Sequence, residues 1–186
     1  MNPWHNVEPR LDLDNKEFNT IIEISSGSKS KYELDQETGL LKLDRVLYSA
    51  VRYPANYGFV PKSLGQDNDP LDVLVLCQEP IIPLSIVHVR AIGGFKLVDD
   101  KGIDDKIICV HTGDPVYGVY KNLKDLNPHF KKELIKFFED YKKLEKKTVE
   151  IGKLYGPDQA LKIVVKSLDR YLDYPHLSRT PWPTTR

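Results

Sequence analysis

Three carboxylates fall within six residues at Asp67-Asn68-Asp69-Pro70-Leu71-Asp72, directly ahead of the apolar run Val73-Leu74-Val75-Leu76. Like charges at this spacing repel, and each raises its neighbours' pKa unless a cation sits among them. Hard divalent cations such as Mg²⁺ take oxygen ligands and are held by a few carboxylates together with substrate phosphates. The segment therefore reads as a metal site for phosphate chemistry. The competing reading is a solvated turn, because Asp, Asn and Pro are turn formers. Asp72 argues against that, since it lies inside a strand-like run, where a carboxylate without a partner is unfavourable.

Other metal motifs fit worse. A calcium loop of the EF-hand type needs Gly at its sixth position and Glu at its twelfth. Counted from Asp67, those positions hold Asp72 and Gln78. Zinc prefers Cys and His at short spacing. Cys77 and Cys109 lie far apart in apolar runs and read as small buried hydrophobes.

More charged residues fall where strands should be apolar. Alternation puts Lys31 and Glu33 on one strand face, with Tyr32 and Leu34 on the other. Glu23 interrupts an isoleucine run, and Arg45 follows Leu41 and Leu43 on one face. Tyr53 and Tyr57 flank Pro54-Ala55-Asn56, and residues 56–58 read as a bend. Singly, each charged residue is best explained as the wet face of an antiparallel sheet. Together they describe a polar, mixed-charge mouth that could take cations on its acids and phosphate oxygens on Lys31, Arg45 and Lys106. A second acidic group, Asp99, Asp100, Asp104 and Asp105, precedes Lys106 and alone reads as a charged hairpin loop around Gly102. Tyr141 alone reads as a core residue, and Lys142 as a solvated helix charge.

The elements that must position these residues follow from periodicity. Residues 1–18 read as an extended arm, because Pro3 and Pro9 discourage regular structure. Strands are expected over 19–25, 72–76, 86–92, 95–98 and 106–110, and a hairpin over 29–34 and 40–47 across a turn ending in Gly39. Asn127-Pro128 opens a helix whose apolar stripe is Phe130, Leu134, Phe137, Phe138, Tyr141 and Leu144. A second helix starts near Pro157, with Ala160, Ile163, Val164, Leu168, Tyr171 and Leu172 as its apolar face. Pro181 and Pro183 rule out a continuous helix in the 175–186 tail. Strands followed by two helices predict an α+β fold, a small antiparallel barrel with helices packed outside.

At 186 residues the chain is expected to form one domain over 1–186, with the arm and tail peripheral. Lys+Arg and Asp+Glu both number 27, which opposes a main role in binding nucleic acid. Two cysteines make no disulfide framework, and the acidic N-terminus lacks the apolar core of a signal peptide. No apolar run approaches the length of a membrane span. These features predict a cytoplasmic protein with no membrane partner. Neither G-x-x-x-x-G-K-[ST] nor G-x-G-x-x-G occurs, so no nucleotide-cradling loop is expected.

The 67–73 segment resembles the signature of family I soluble inorganic pyrophosphatases. Glu23, Lys31-Tyr32-Glu33, Asp44-Arg45, the 53–58 segment, Asp99, Asp104, Lys106 and the 137–142 segment resemble further family segments in the same order. The likeness covers roughly 19–172. It implies a five-stranded OB-like β-barrel with two C-terminal helices outside. The implied reaction is hydrolysis of inorganic diphosphate to two orthophosphates by metal-activated water, with several Mg²⁺ per active site. By the resemblance, Asp67, Asp72, Asp99 and Asp104 hold metal. Asp69 is the general base, with Tyr57 beside it as a catalytic group. Lys31, Arg45, Tyr57, Lys106, Tyr141 and Lys142 bind substrate, and Glu23, Glu33 and Tyr53 support the site. Asp100 and Asp105 thicken the acidic loop, so choosing Asp99 and Asp104 rests on their spacing to Lys106. The family also implies a homo-oligomer, with a hexamer favoured, in which Trp4 and Trp182 either pack at a subunit interface or belong to flexible ends.

Two readings compete with this one. An OB-like module for single-stranded nucleic acid would stack bases on aromatics in a basic groove; ten tyrosines permit it, and the neutral charge and acidic clusters oppose it. A phosphohydrolase acting on nucleotides or sugar diphosphates is opposed only by the lack of a recognisable base-binding motif.

Overall fold

The computed structural model describes residues 1–99 and 102–174, apart from the Asp99 side chain. Asp100 and the Pro-rich tail with Trp182 lie outside the described residues. The elements run α1 (Pro3–Asn6), β1 (Glu17–Ile24), β2 (Ser30–Leu34), β3 (Leu41–Val46), β4 (Asn56–Phe59), β5 (Asp72–Leu76), β6 (Ile86–Asp99), β7 (Gly102–His111), α2 (Pro128–Asp140), β8 (Glu150–Tyr155) and α3 (Pro157–Leu172).

Five strands close on themselves. The sheet order is β1-β4-β5-β7-β6, and β1 also pairs with β6. Closure pairs both edges of the sheet, and β8 adds outside β6. The barrel is not purely antiparallel as expected, because β5 and β7 run parallel. The chain reaches that arrangement through β6, which crosses from β1 to return antiparallel against β7.

Alternation on β5 and β7 builds two cores. Val73, Val75, Ile107 and Cys109 pack with Ala160 and Val164 of α3. Leu74, Leu76, Ile108 and Val110 pack with Leu134, Phe137 and Phe138 of α2. Burying each such aliphatic or aromatic side chain contributes about 1.5–3 kcal/mol. α2 begins where Asn127 Oδ1 accepts from the His129 N–H at 2.8 Å, with Pro128 as its first residue. It ends at Asp140, so the expected stripe position Leu144 falls past the helix and is exposed.

Three other expectations change. Residues 56–59 form β4 rather than a bend. Gly58 permits this, because a Cβ there would sit 1.8 Å from the Ile21 carbonyl oxygen of β1. The two strands expected at 86–92 and 95–98 are one strand with an irregularity between Ala91 and Gly93. The arm carries the short helix α1, and Trp4, only 1% exposed, is buried within the chain itself.

Candidate active site

The β-ladder brings the acids and Lys106 together. Asp72 opens β5 and lies opposite Lys106 of β7. Asp104 is two residues before Lys106 and so shares its face. Tyr57 of β4 lies opposite Leu74, two residues from Asp72 on that same face. The buried Lys106 ammonium, 3% exposed, donates to Asp104 at 2.5 Å, to Asp72 and to the Tyr57 oxygen at 2.9 Å. Asp104 and Asp105 therefore belong to a strand, not to a hairpin loop around Gly102.

The 67–72 loop is held at both ends. The Gly65 N–H donates to the Asp69 carbonyl at 2.7 Å, and the Leu71 N–H to Ser63 Oγ at 2.8 Å. Asn68 turns the chain with a φ of 68°, a region Asn tolerates better than most residues. Asp67 Oδ1 accepts from the Asp69 N–H at 3.2 Å. From the hairpin, Lys31 pairs with Glu33 and with Asp44 at 3.2 Å. Glu23, 7% exposed, accepts from the Leu34 N–H at 2.7 Å and so ties the barrel to that hairpin.

These groups converge on one cavity of about 320 Å³. Asp67, Asp69, Asp72 and Asp104 line it, as do Lys31, Lys106 and Lys142. So do Glu23, Glu33, Tyr53, Tyr57 and Tyr141. Arg45 does not line it; it bonds Glu145 at 2.8 Å and pairs with Asp44 in the hairpin that carries Lys31. The Asp99 backbone ends β6 opposite Gly102, and the role expected of its side chain lies outside what is described. The sequence reading missed Gln36, which lines the cavity and donates to Asp69 Oδ1 at 3.1 Å. Nothing in a Gln within an Asp-Gln-Glu-Thr-Gly turn signals that contact.

The electrostatics favour an added cation. Burial pushes Asp104 up to about 7, with the Asp72 charge adding and Lys106 opposing. Burial, then the Asp72 charge, pushes Glu23 up to about 8. Burial also raises Asp67, against the hydrogen bond from Asp69. Burial opposes the charge on Lys106, yet Asp104 and Asp72 outweigh it and hold its pKa well above the ordinary lysine value. Burial and the Asp72 charge likewise hold Tyr57 well above the ordinary phenol value. Lys106 pairs with Asp72 and Asp104, while burial and the nearby Asp72 charge hold Glu23, Asp67 and Asp104 toward their neutral forms. That donor set fits a hard divalent cation. Among the described residues no three His, Cys, Asp or Glu side chains close round a metal position by themselves. Waters and substrate oxygens would complete the coordination, as is usual for Mg²⁺.

A barrel that presents acids and cations around one polar cavity is built to act on a polyanion. The family model for inorganic pyrophosphatase matches residues 20–172, and the chain belongs to that family. It is 49% identical over 172 residues to a soluble inorganic pyrophosphatase of Solanum tuberosum, covering 92% of this chain and 81% of that one. It is 48% identical over 172 residues to soluble inorganic pyrophosphatase 2 of Chlamydomonas reinhardtii, covering 92% and 89%. The solved inorganic pyrophosphatase of Thermus thermophilus superposes with a TM-score of 0.86 at 36% identity, covering 91% of this chain and 99% of that one.

Proposed function

We propose that Mg²⁺ is the metal, with several ions per active site, and that the residues around the cavity divide the work of the family reaction. That reaction is hydrolysis of inorganic diphosphate to two orthophosphates. Family membership favours it over the nucleic-acid module and the nucleotide phosphohydrolase.

The observation that carries the site assignment is the buried Lys106 ammonium shared by Asp72, Asp104 and Tyr57 at the wall of the cavity. Asp67, Asp72, Asp99 and Asp104 hold the metal, with Glu23 and Glu33 supporting it. When bound, Mg²⁺ neutralises the diphosphate and acidifies the attacking water. Asp69 takes the proton as water attacks phosphorus and the bond to the bridging oxygen breaks. Lys31, Lys106 and Lys142, with Tyr57 and Tyr141, bind the phosphoryl oxygens and stabilise the charge that develops on the leaving phosphate, and Arg45 would join them by leaving its pair with Glu145. Tyr53, whose ring lies 5.5 Å from that of Tyr57, holds Tyr57 in place.

Residues 1–186 act as one domain in this reading, and the arm joins it through the buried Trp4 rather than standing apart. A homo-oligomer, favoured as a hexamer, is supported by the exposed apolar side chains of Ile82, Leu84 and Ile86 on one segment. A cytoplasmic setting is supported by two free cysteines, and no described helix is long and apolar enough to cross a membrane. A substrate panel with Mg²⁺ tests the function. Phosphate release from inorganic diphosphate should far exceed that from nucleoside triphosphates and sugar-nucleotide diphosphates. Comparable rates on all three would overturn the assignment.

A further inference from the structure

Asp69 is exposed and lines the cavity from a loop whose backbone is held by Ser63 and Gly65. The Gln36 side-chain amide reaches Asp69 Oδ1 at 3.1 Å from the β2–β3 turn, 33 residues away in sequence. An ionised carboxylate only accepts, so the contacting atom is the amide nitrogen.

Gln36 is itself held. Its backbone carbonyl accepts from Asn2 Nδ2 at 2.8 Å. Asn2 Oδ1 meanwhile accepts from the Trp4 N–H at 3.0 Å and caps α1. The turn is closed within itself, since Asp35 Oδ1 accepts from the Thr38 N–H at 2.8 Å and its hydroxyl at 2.7 Å. At Gly39, with a φ of 71°, a Cβ would come within 2.9 Å of the Asn2 Cα, so the arm lies directly on the turn. The same arm reaches the far side of the acidic loop. Trp4 Nε1 donates to the Ser63 carbonyl at 2.8 Å, and Ser63 Oγ accepts from the Leu71 N–H. The arm thus ties the turn that carries Gln36 to the loop that carries Asp69.

We propose that Gln36 is a positioning residue for Asp69, orienting the carboxylate toward the attacking water through the amide contact, with the N-terminal arm fixing Gln36 in turn. A hydrogen bond to one carboxylate oxygen limits rotation of the group. This rests on the assignment of Asp69 as general base.

The test is steady-state diphosphate hydrolysis at saturating Mg²⁺ for Gln36→Met, Gln36→Lys and Asp69→Asn. Gln36→Met keeps the volume and removes the donor. It should lower kcat about 3–10-fold with KM unchanged. Gln36→Lys restores a donor of similar reach and should recover most of the loss. Gln36 is exposed, so a change in fold is not expected, and unchanged thermal melting checks this. Wild-type kcat in Gln36→Met, or a loss that Gln36→Lys does not recover, overturns the proposal. So does a rise in KM at constant kcat, which would make Gln36 a substrate contact. If Asp69→Asn turns over normally, the general-base assignment itself falls. If Asp69→Asn is inactive while Gln36→Met is normal, only the role of Gln36 falls.

Discussion

The Tyr57 phenol donates to Oδ2 of Asp72 at 2.5 Å, the same oxygen that the Lys106 ammonium takes. One carboxylate oxygen is thereby held from β4 and from β7 at once. Tyr57→Phe removes one of these donors and a group that would meet substrate. Phosphate release at saturating Mg²⁺ should fall about 10-fold, since hydrogen bonds to charged groups are worth about 1.5–3 kcal/mol. An unchanged rate in the folded variant would show that the phenol takes no part.

Asp69 and Asp72 both line the cavity, and the roles proposed for them, base and metal ligand, predict different variants. Asp69→Asn should keep the fold and lose activity about 100-fold or more, because a positioned base supplies about 10²–10⁴-fold. Asp72→Ala should weaken metal binding more than Asp69→Asn does. Titrating activity with Mg²⁺ checks this for both variants, and equal metal dependence would count against Asp72 as a ligand.

The raised carboxyls give the metal-free protein an unusual pH profile. Glu23 near 8 and Asp104 near 7 bind protons more tightly folded than unfolded. Their contribution is therefore fully present below the unfolded carboxylate range, about pH 4, and is lost as pH rises through about 7 and 8. Lys106, held above the ordinary lysine value, changes nothing in that window. In EDTA, the melting temperature should fall by several degrees between about pH 6 and about pH 9. Excess Mg²⁺ should remove most of the fall, because bound metal favours the ionised acids. A flat profile in EDTA would contradict the burial of these groups.

The acids were legible in the sequence because like charges at such spacing before an apolar run have few physical explanations. Their neighbours were legible in part. Lys31 and Glu33 share a strand face, and Lys106 falls opposite Asp72 only once β5 and β7 pair. That parallel register joins residues 34 apart and has no local signal. β4 was hidden because Asn56 and Gly58 look like turn residues, whereas Gly58 serves the close approach to Ile21. β8 was hidden by its polar, mostly exposed surface and by Gly152. Gln36 was invisible for the same reason as the register: its contact exists only after the turn and the acidic loop are brought together.

Asp114 stabilises a segment whose sequence matched no expected element. Its oxygens accept from the Gln78 N–H at 2.7 Å, the Val116 N–H at 2.7 Å and the Tyr117 N–H at 3.0 Å. Burial opposes its charge, but these donors outweigh it and hold the carboxyl well below the usual range. The stability it contributes is present above about pH 4 and is lost as pH falls below that. Asp114→Ala leaves the donors without their acceptor and should cost about 2–3 kcal/mol in urea denaturation, with activity per folded molecule retained. A loss below about 0.5 kcal/mol would show that water replaces the carboxylate there.

Phosphate release from inorganic diphosphate, with Mg²⁺ and then with excess EDTA, tests the account most directly. Fast release that EDTA abolishes and added Mg²⁺ restores is the predicted result. Folded protein that releases no phosphate with Mg²⁺, or releases it equally in EDTA, would contradict a metal-dependent diphosphatase built around Asp67, Asp69, Asp72 and Asp104.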